Sequence, residues 1–120
     1  MWVYSFEKLL VWQKAKSFTV YLYQITAGFP KDERFGIIDQ IRRAGASIPT
    51  NLSERSSRSS AKEQDYYCQI SYGSLMEVLN HLMISYDLQY ITKEQLVESR
   101  LKIDEISAML TALRKSRLNS

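Results

Sequence analysis

Arg34–Arg58 reads RFGIIDQIRRAGASIPTNLSERSSR. At 100° per residue this stretch carries two separate stripes. Ile38, Ile41, Gly45, Ile48 and Leu52 form an apolar stripe suited to a core. Gln40, Arg43, Ser47, Asn51, Glu54 and Arg58 form a second row of hydrogen-bonding groups, more than a quarter-turn away. A helix specialised on two faces touches its own core and something else. Pro49 removes a backbone donor and crowds the carbonyl of residue 45, which is glycine, so a kink near Gly45–Pro49 is expected and not a break. The small residues Ala44, Gly45, Ala46 and Ser47 let another helix come close.

The flanking chain repeats the helical pattern. Val11, Ala15, Phe18, Leu22, Ile25 and Phe29 alternate spacings of four and three, and Gly28 and Pro30 stand where a helix stops. Trp12, Tyr21 and Tyr23 fall off that seam, where they either cover the bundle edge or meet another subunit. Asp32 and Glu33 suit the start of the second helix. Ser60–Glu63 and Thr92–Gln95 each read as a capping box. Cys68, Tyr72, Leu75, Leu79, Leu82 and Tyr86 form the third seam, broadened by Ile70, Gly73, Ser74 and Met83. Leu96, Ile103, Ile106, Leu110 and Leu113 form the fourth. Helices are thus expected at about 6–27, the first starting near Phe6 or Leu9, then 32–57, 60–88 and 92–117, in one domain spanning 1–120. Short links make an all-α, antiparallel up-down-up-down four-helix bundle the economical arrangement.

Composition excludes several classes. Apolar residues at 45% and charged residues at 24% are a globular mix. One cysteine rules out an intrachain disulfide. The first residues mix acid and base where a signal peptide is apolar, and no run is long enough to span a bilayer, so the chain reads as cytoplasmic with no membrane role. A di-iron bundle needs Glu-x-x-His pairs. Here Glu77 precedes the sole histidine, His81, by four residues, so neither a metal nor a cofactor is expected. Cys68 sits on a core seam without a neighbouring histidine and reads as an inert thiol. No glycine-rich phosphate loop is present. Neither a catalytic residue nor a small-molecule substrate is implied, and the chain reads as a non-enzyme.

Charge is segregated along the chain. The net charge is +3, and residues 34–58 with 111–120 hold eight of sixteen bases but two of thirteen acids. Such a distribution suits a polyanion, or an acidic flank of one subunit against a basic flank of the next.

Several motifs together resemble a known family. They are Phe6–Leu9 with Val11–Ala15, Phe29–Gly36, Gln40–Ala44, Ser47–Leu52 with Glu54, and Gly73–Leu75 with Glu77. This set resembles the four-helix bundle proteins named after the 23S rRNA intervening sequence, also called the S23 ribosomal protein family, over about residues 6–115. That family is similar to the accessory protein of diversity-generating retroelements. The resemblance implies the same bundle, a barrel-like homopentamer and nucleic-acid binding. Most of its members have no established activity. Where the family pattern has Ala-Glu-Gly, this chain has Ser53-Glu54-Arg55, which implies a longer and more regular end to the second helix.

The polar row on the second helix then has three readings: a solvated face, a subunit interface through Gln40, Arg43, Ser47, Asn51 and Glu54, or a nucleic-acid surface. Guanidinium groups suit phosphate. Arg42, Arg55, Arg58, Arg114, Lys115 and Arg117 are accordingly the candidate nucleic-acid-binding residues. Two functions remain open: a homo-oligomer that binds RNA or DNA without sequence preference, and a protein–protein scaffold with no nucleic-acid role.

Overall fold

A computed structural model describes residues 1–118, with side chains described through Ser116. A 3₁₀ turn at Ser5–Lys8 precedes α1 (Leu10–Thr26), and a second at Lys31–Glu33 precedes α2 (Ile37–Ser56). α3 (Ala61–Asp87) and α4 (Lys93–Leu118) complete the chain. The four helices pack in sequence as a bundle. Side-chain contacts fix their directions. Thr19 of α1 reaches Gly45 of α2, while Arg42, earlier in α2, reaches Thr26 at the end of α1. Ser71 and Ser74 of α3 meet Ile48 and Ser47 of α2. Asp65 near the start of α3 binds Arg114 near the end of α4, and Lys14 of α1 binds Glu105 of α4. Each neighbouring pair is therefore antiparallel, as the short links imply.

α1 begins at Leu10 with Leu9 as its N-cap, the later of the two starts read from the sequence, because residues 5–8 form a separate turn in which Tyr4 N–H donates to Glu7 Oε2 at 2.7 Å. The start of α2 differs from the sequence reading. α2 begins at Ile37, since Asp32 and Glu33 are spent in their own 3₁₀ turn. Its far end runs through Arg55 to Ser56, where the family pattern has glycine. Thr92 and Gln95 form a complete capping box, with bonds of 2.8 and 3.1 Å. At Ser60 only half of one forms: the hydroxyl accepts from Glu63 N–H at 3.1 Å, and the Glu63 carboxylate meets that hydroxyl instead of the backbone.

The core holds Val11, Ala15, Phe18 and Leu22 of α1 with the whole apolar stripe of α2. α3 is a correction. Its buried line is Cys68, Ser71, Leu75, Val78, Leu82 and Ser85, whereas Tyr72 and Tyr86 are exposed and Leu79 is only partly buried. Cys68, Leu75 and Leu82 of the expected seam are buried as read, whereas Tyr72, Leu79 and Tyr86 give way to Ser71, Val78 and Ser85 one position earlier. Serine fits there because each proton finds a carbonyl: Ser71 donates to Ile48 O at 2.9 Å and Ser85 to His81 O at 2.7 Å. Ser99 does the same on α4, donating to Gln95 O at 2.7 Å.

Pro49 stays inside a continuous α2. The carbonyl it leaves without a helical donor, Gly45 O, lies 2.9 Å from Thr19 Oγ1 of α1. Thr19 is also 3.0 Å from Ala15 O, so one proton serves both acceptors. Thr19→Val keeps the shape and removes the donor. It should cost about 1–3 kcal/mol, the penalty of a buried carbonyl left unbonded. Thermal unfolding measures this, and a Tm equal to wild type would show that the threonine does not serve Gly45.

Candidate functional site

Residues proposed from sequence for two roles fall into three places. The first is the polar row of α2, which the structure divides. Ser47 and Asn51 turn toward α3 and are partly buried: Asn51 Nδ2 donates to Ser47 O at 2.8 Å and lies 2.9 Å from Ser47 Oγ, which meets Ser74 Oγ at 2.8 Å. Gln40, Arg43 and Glu54 are exposed. Arg43 pairs with Asp39 of its own helix at 2.9 Å, and its side chain remains 81% exposed.

The second place is one end of the bundle, where the end of α2, the start of α3 and the end of α4 meet. Arg55, Arg58 and Arg114 come together there, with Lys115 exposed beside Arg114 in sequence. Arg58 binds Glu54 at 3.2 Å and lies over the Tyr67 ring at 4.9 Å. Arg114 holds Asp65 through Nε at 2.7 Å and Nη2 at 3.2 Å. Among the described residues the buried Nε atoms of Arg55 and Arg58 have no hydrogen-bond partner. Arg117 lies outside the residues whose side chains are described. Cys68 is buried at this end, and burial pushes its thiol up, with the Arg55 charge pulling the other way. A neutral thiol is neither nucleophile nor metal ligand.

The Arg114 guanidinium, by its hydrogen bonds, holds the Asp65 carboxyl below its usual range, helped by Gln69. Asp65 thus binds its proton more weakly folded than unfolded. The stability from this pair is fully present above the ordinary carboxylate value of 3.8 and is lost as pH falls through the depressed folded value. Arg114 is 36% exposed, so solvent screens part of the effect. Asp65→Asn should lower the urea midpoint at neutral pH, and the two proteins should converge in acid below about pH 4. A gap that persists unchanged to pH 2 would contradict this origin.

The third place is the α1–α2 corner. Arg42 Nε donates to Thr26 Oγ1 at 2.9 Å and Nη2 to Tyr23 O at 3.2 Å, and the guanidinium lies over the Tyr23 ring at 4.5 Å. Arg42 precedes Arg55 by thirteen positions, which puts it about 20 Å away along α2. The candidate cations therefore do not form one continuous track.

Sequence reading missed the exposed apolar pair Val97 and Leu101, 49% and 66% exposed, one turn apart on α4. Together with Lys93, Glu94 and Glu98 they line an open hollow of about 430 Å³. Their i, i+4 spacing off the Ile103–Leu110 seam was the signal for it. Trp2, Tyr4, Leu10 and Phe35 are likewise exposed. His81 lies against Glu77 at 3.7 Å with its side chain 14% exposed. No group of three or more His, Cys, Asp or Glu side chains suited to a metal occurs among the described residues. No described helix is long and apolar enough to cross a membrane.

An antiparallel four-helix bundle with buried serines and basic groups gathered at two corners defines a class of small helical protein. The profile of the 23S rRNA-intervening sequence protein family matches residues 7–112, and the chain belongs to that family. A crystal structure of a protein of unknown function from the S23 ribosomal protein family, from Bacteroides thetaiotaomicron VPI-5482, is similar at 25% identity and a TM-score of 0.78. The match covers 88% of this chain and 98% of that one. No curated protein matches the sequence.

Proposed function

We propose that this chain is a non-catalytic helical bundle that works as a homo-oligomer. The supporting observation is the outward apolar face of α4, where Val97 and Leu101 stand in solvent between charged neighbours. An apolar hollow with a charged rim is the anatomy of a protein interface. Lys93 beside Glu94 and Glu98 supplies both signs of charge, which suits a face that meets another copy of this chain. A pentamer is the assembly that the family resemblance implies.

Nucleic-acid binding is the second reading, supported by the convergence of Arg55, Arg58 and Arg114 at one end. In a ring such an end repeats, so weak phosphate contacts add as avidity. The Tyr67 ring there is already covered by the Arg58 guanidinium, so contacts would be mainly to backbone with little sequence preference. Arg58 and Arg114 already hold Glu54 and Asp65, so phosphate must compete with those carboxylates. Arg55→Glu with Arg58→Glu should abolish RNA and duplex DNA shifts while sparing assembly. Wild type should lose affinity steeply between about 50 and 200 mM salt. An oligomer that shifts neither nucleic acid at the lower salt would leave the scaffold reading alone.

A further inference from the structure

A cavity of about 290 Å³ opens at the α1–α2 corner. Lys31 comes to it from the 3₁₀ turn, Arg34 from the link and Arg42 from α2. Phe29 and Ile38, both nearly buried, give it apolar walls, and Thr26 contributes at its edge. No carboxylate lines it. Elsewhere Lys14, Arg43, Arg58, Lys102 and Arg114 each sit against an acid. The three cations of this cavity form no ion pair among the described residues. The nearest acids in sequence are engaged or turned away. Glu33 accepts from the Tyr90 hydroxyl at 3.1 Å, Asp39 is held by Arg43, and Asp32 is exposed outside the lining.

The carbonyls at the end of α1 would repel an anion here, but most are occupied. Tyr23 O accepts from Ala27 N–H and Arg42, Ile25 O from Gly28 N–H, and Thr26 O from Phe29 N–H. Arg42 is held in place by Thr26, Tyr23 O and the Tyr23 ring. Its Nη1 has no protein acceptor among the described residues. A guanidinium already fixed loses little freedom when it binds a ligand.

The geometry points to a binding site for a phosphate monoester, with its dianion between Lys31, Arg34 and Arg42 and its first apolar or ring carbon atoms against Phe29 and Ile38. Three cations match a dianion better than a single carboxylate. The volume is at the lower end for ligand pockets, so it takes a phosphoryl group and little more. A free phosphomonoester and the 5′-phosphate end of a polynucleotide share that chemistry. This site is independent of the α4 interface and of the Arg55–Arg114 end.

The test is calorimetric titration of the full chain at low salt with phenyl phosphate, with phenol as control. Amide shifts should map the site to Thr26–Phe29 and Ile38. Expected is a millimolar Kd for phenyl phosphate and no heat from phenol. Lys31→Gln with Arg34→Gln lie at the exposed surface and should weaken binding at least about tenfold, since each charge-assisted contact contributes that much. Arg42→Gln, with helicity checked by circular dichroism, should do the same. A short RNA carrying a 5′-phosphate that shifts the same amides more than its 5′-hydroxyl twin would assign the site to polynucleotide ends. Equal shifts with phenyl phosphate bound would assign it to free monoesters. No phenyl phosphate binding, or binding unchanged in the Lys31/Arg34 variant, would overturn the proposal.

Discussion

Leu22→Ala is expected to cost about 2–5 kcal/mol, in the range for an emptied leucine site. The same variant should make Gly45→Ala nearly harmless. Leu22 is fully buried on α1, and its Cδ1 lies 2.6 Å from where a Cβ on Gly45 would stand. An alanine methyl fits there only if the end of the Leu22 side chain turns aside within its fully buried site. Gly45→Ala alone should therefore cost about 1–3 kcal/mol as overpacking, despite alanine's better helix propensity. With Leu22 gone, the new methyl enters the vacated space and the helix gains propensity. The double variant should be more stable than the sum of the single losses by well over the ~0.5 kcal/mol within which distant sites add. Urea melts at one fixed protomer concentration measure the cycle, because assembly itself shifts apparent stability. Additive losses would mean that α1 and α2 are not in contact at Gly45.

Val97→Asp with Leu101→Asp is the second change with a large expected effect. Both side chains point away from the core, so the helix loses only propensity, less than about 1 kcal/mol per site. Four carboxylates would then crowd one hollow, since Glu94 and Glu98 already line it. If that hollow is covered by another copy, burying them together is prohibitive, and the assembly should fall to single chains of 14.0 kDa. Far-UV circular dichroism should remain that of the wild type. A variant that stays assembled would move the interface elsewhere, with the exposed Trp2, Tyr4 and Phe35 as the remaining apolar candidates.

The four helices were legible in the sequence because apolar periodicity and polar links agree at every element. The stripe of α2 was read without error, and Gly45 was recognised as a point of close approach. The seam of α3 was not, because periodicity ranks tyrosine above serine for burial. It cannot see that Ser71 finds Ile48 O on the facing helix. The early start given to α2 failed for a related reason: Asp32 and Glu33 are good first-turn residues, yet they serve a 3₁₀ turn of their own. The candidate site was half legible. Charge along the chain flagged Arg42, Arg55, Arg58 and Arg114. Only the fold shows that Arg42 stands at one corner with Lys31 and Arg34, while Arg114 is brought to Asp65 across 49 positions. The Val97–Leu101 pair was present as spacing, but two apolar positions off a seam are common on any helix surface.

The proposal that the chain works as an assembly is tested most directly by multi-angle light scattering of the wild-type protein at micromolar concentration. The expected mass is a whole multiple of 14.0 kDa, with five copies favoured. A single species of 14.0 kDa would contradict it.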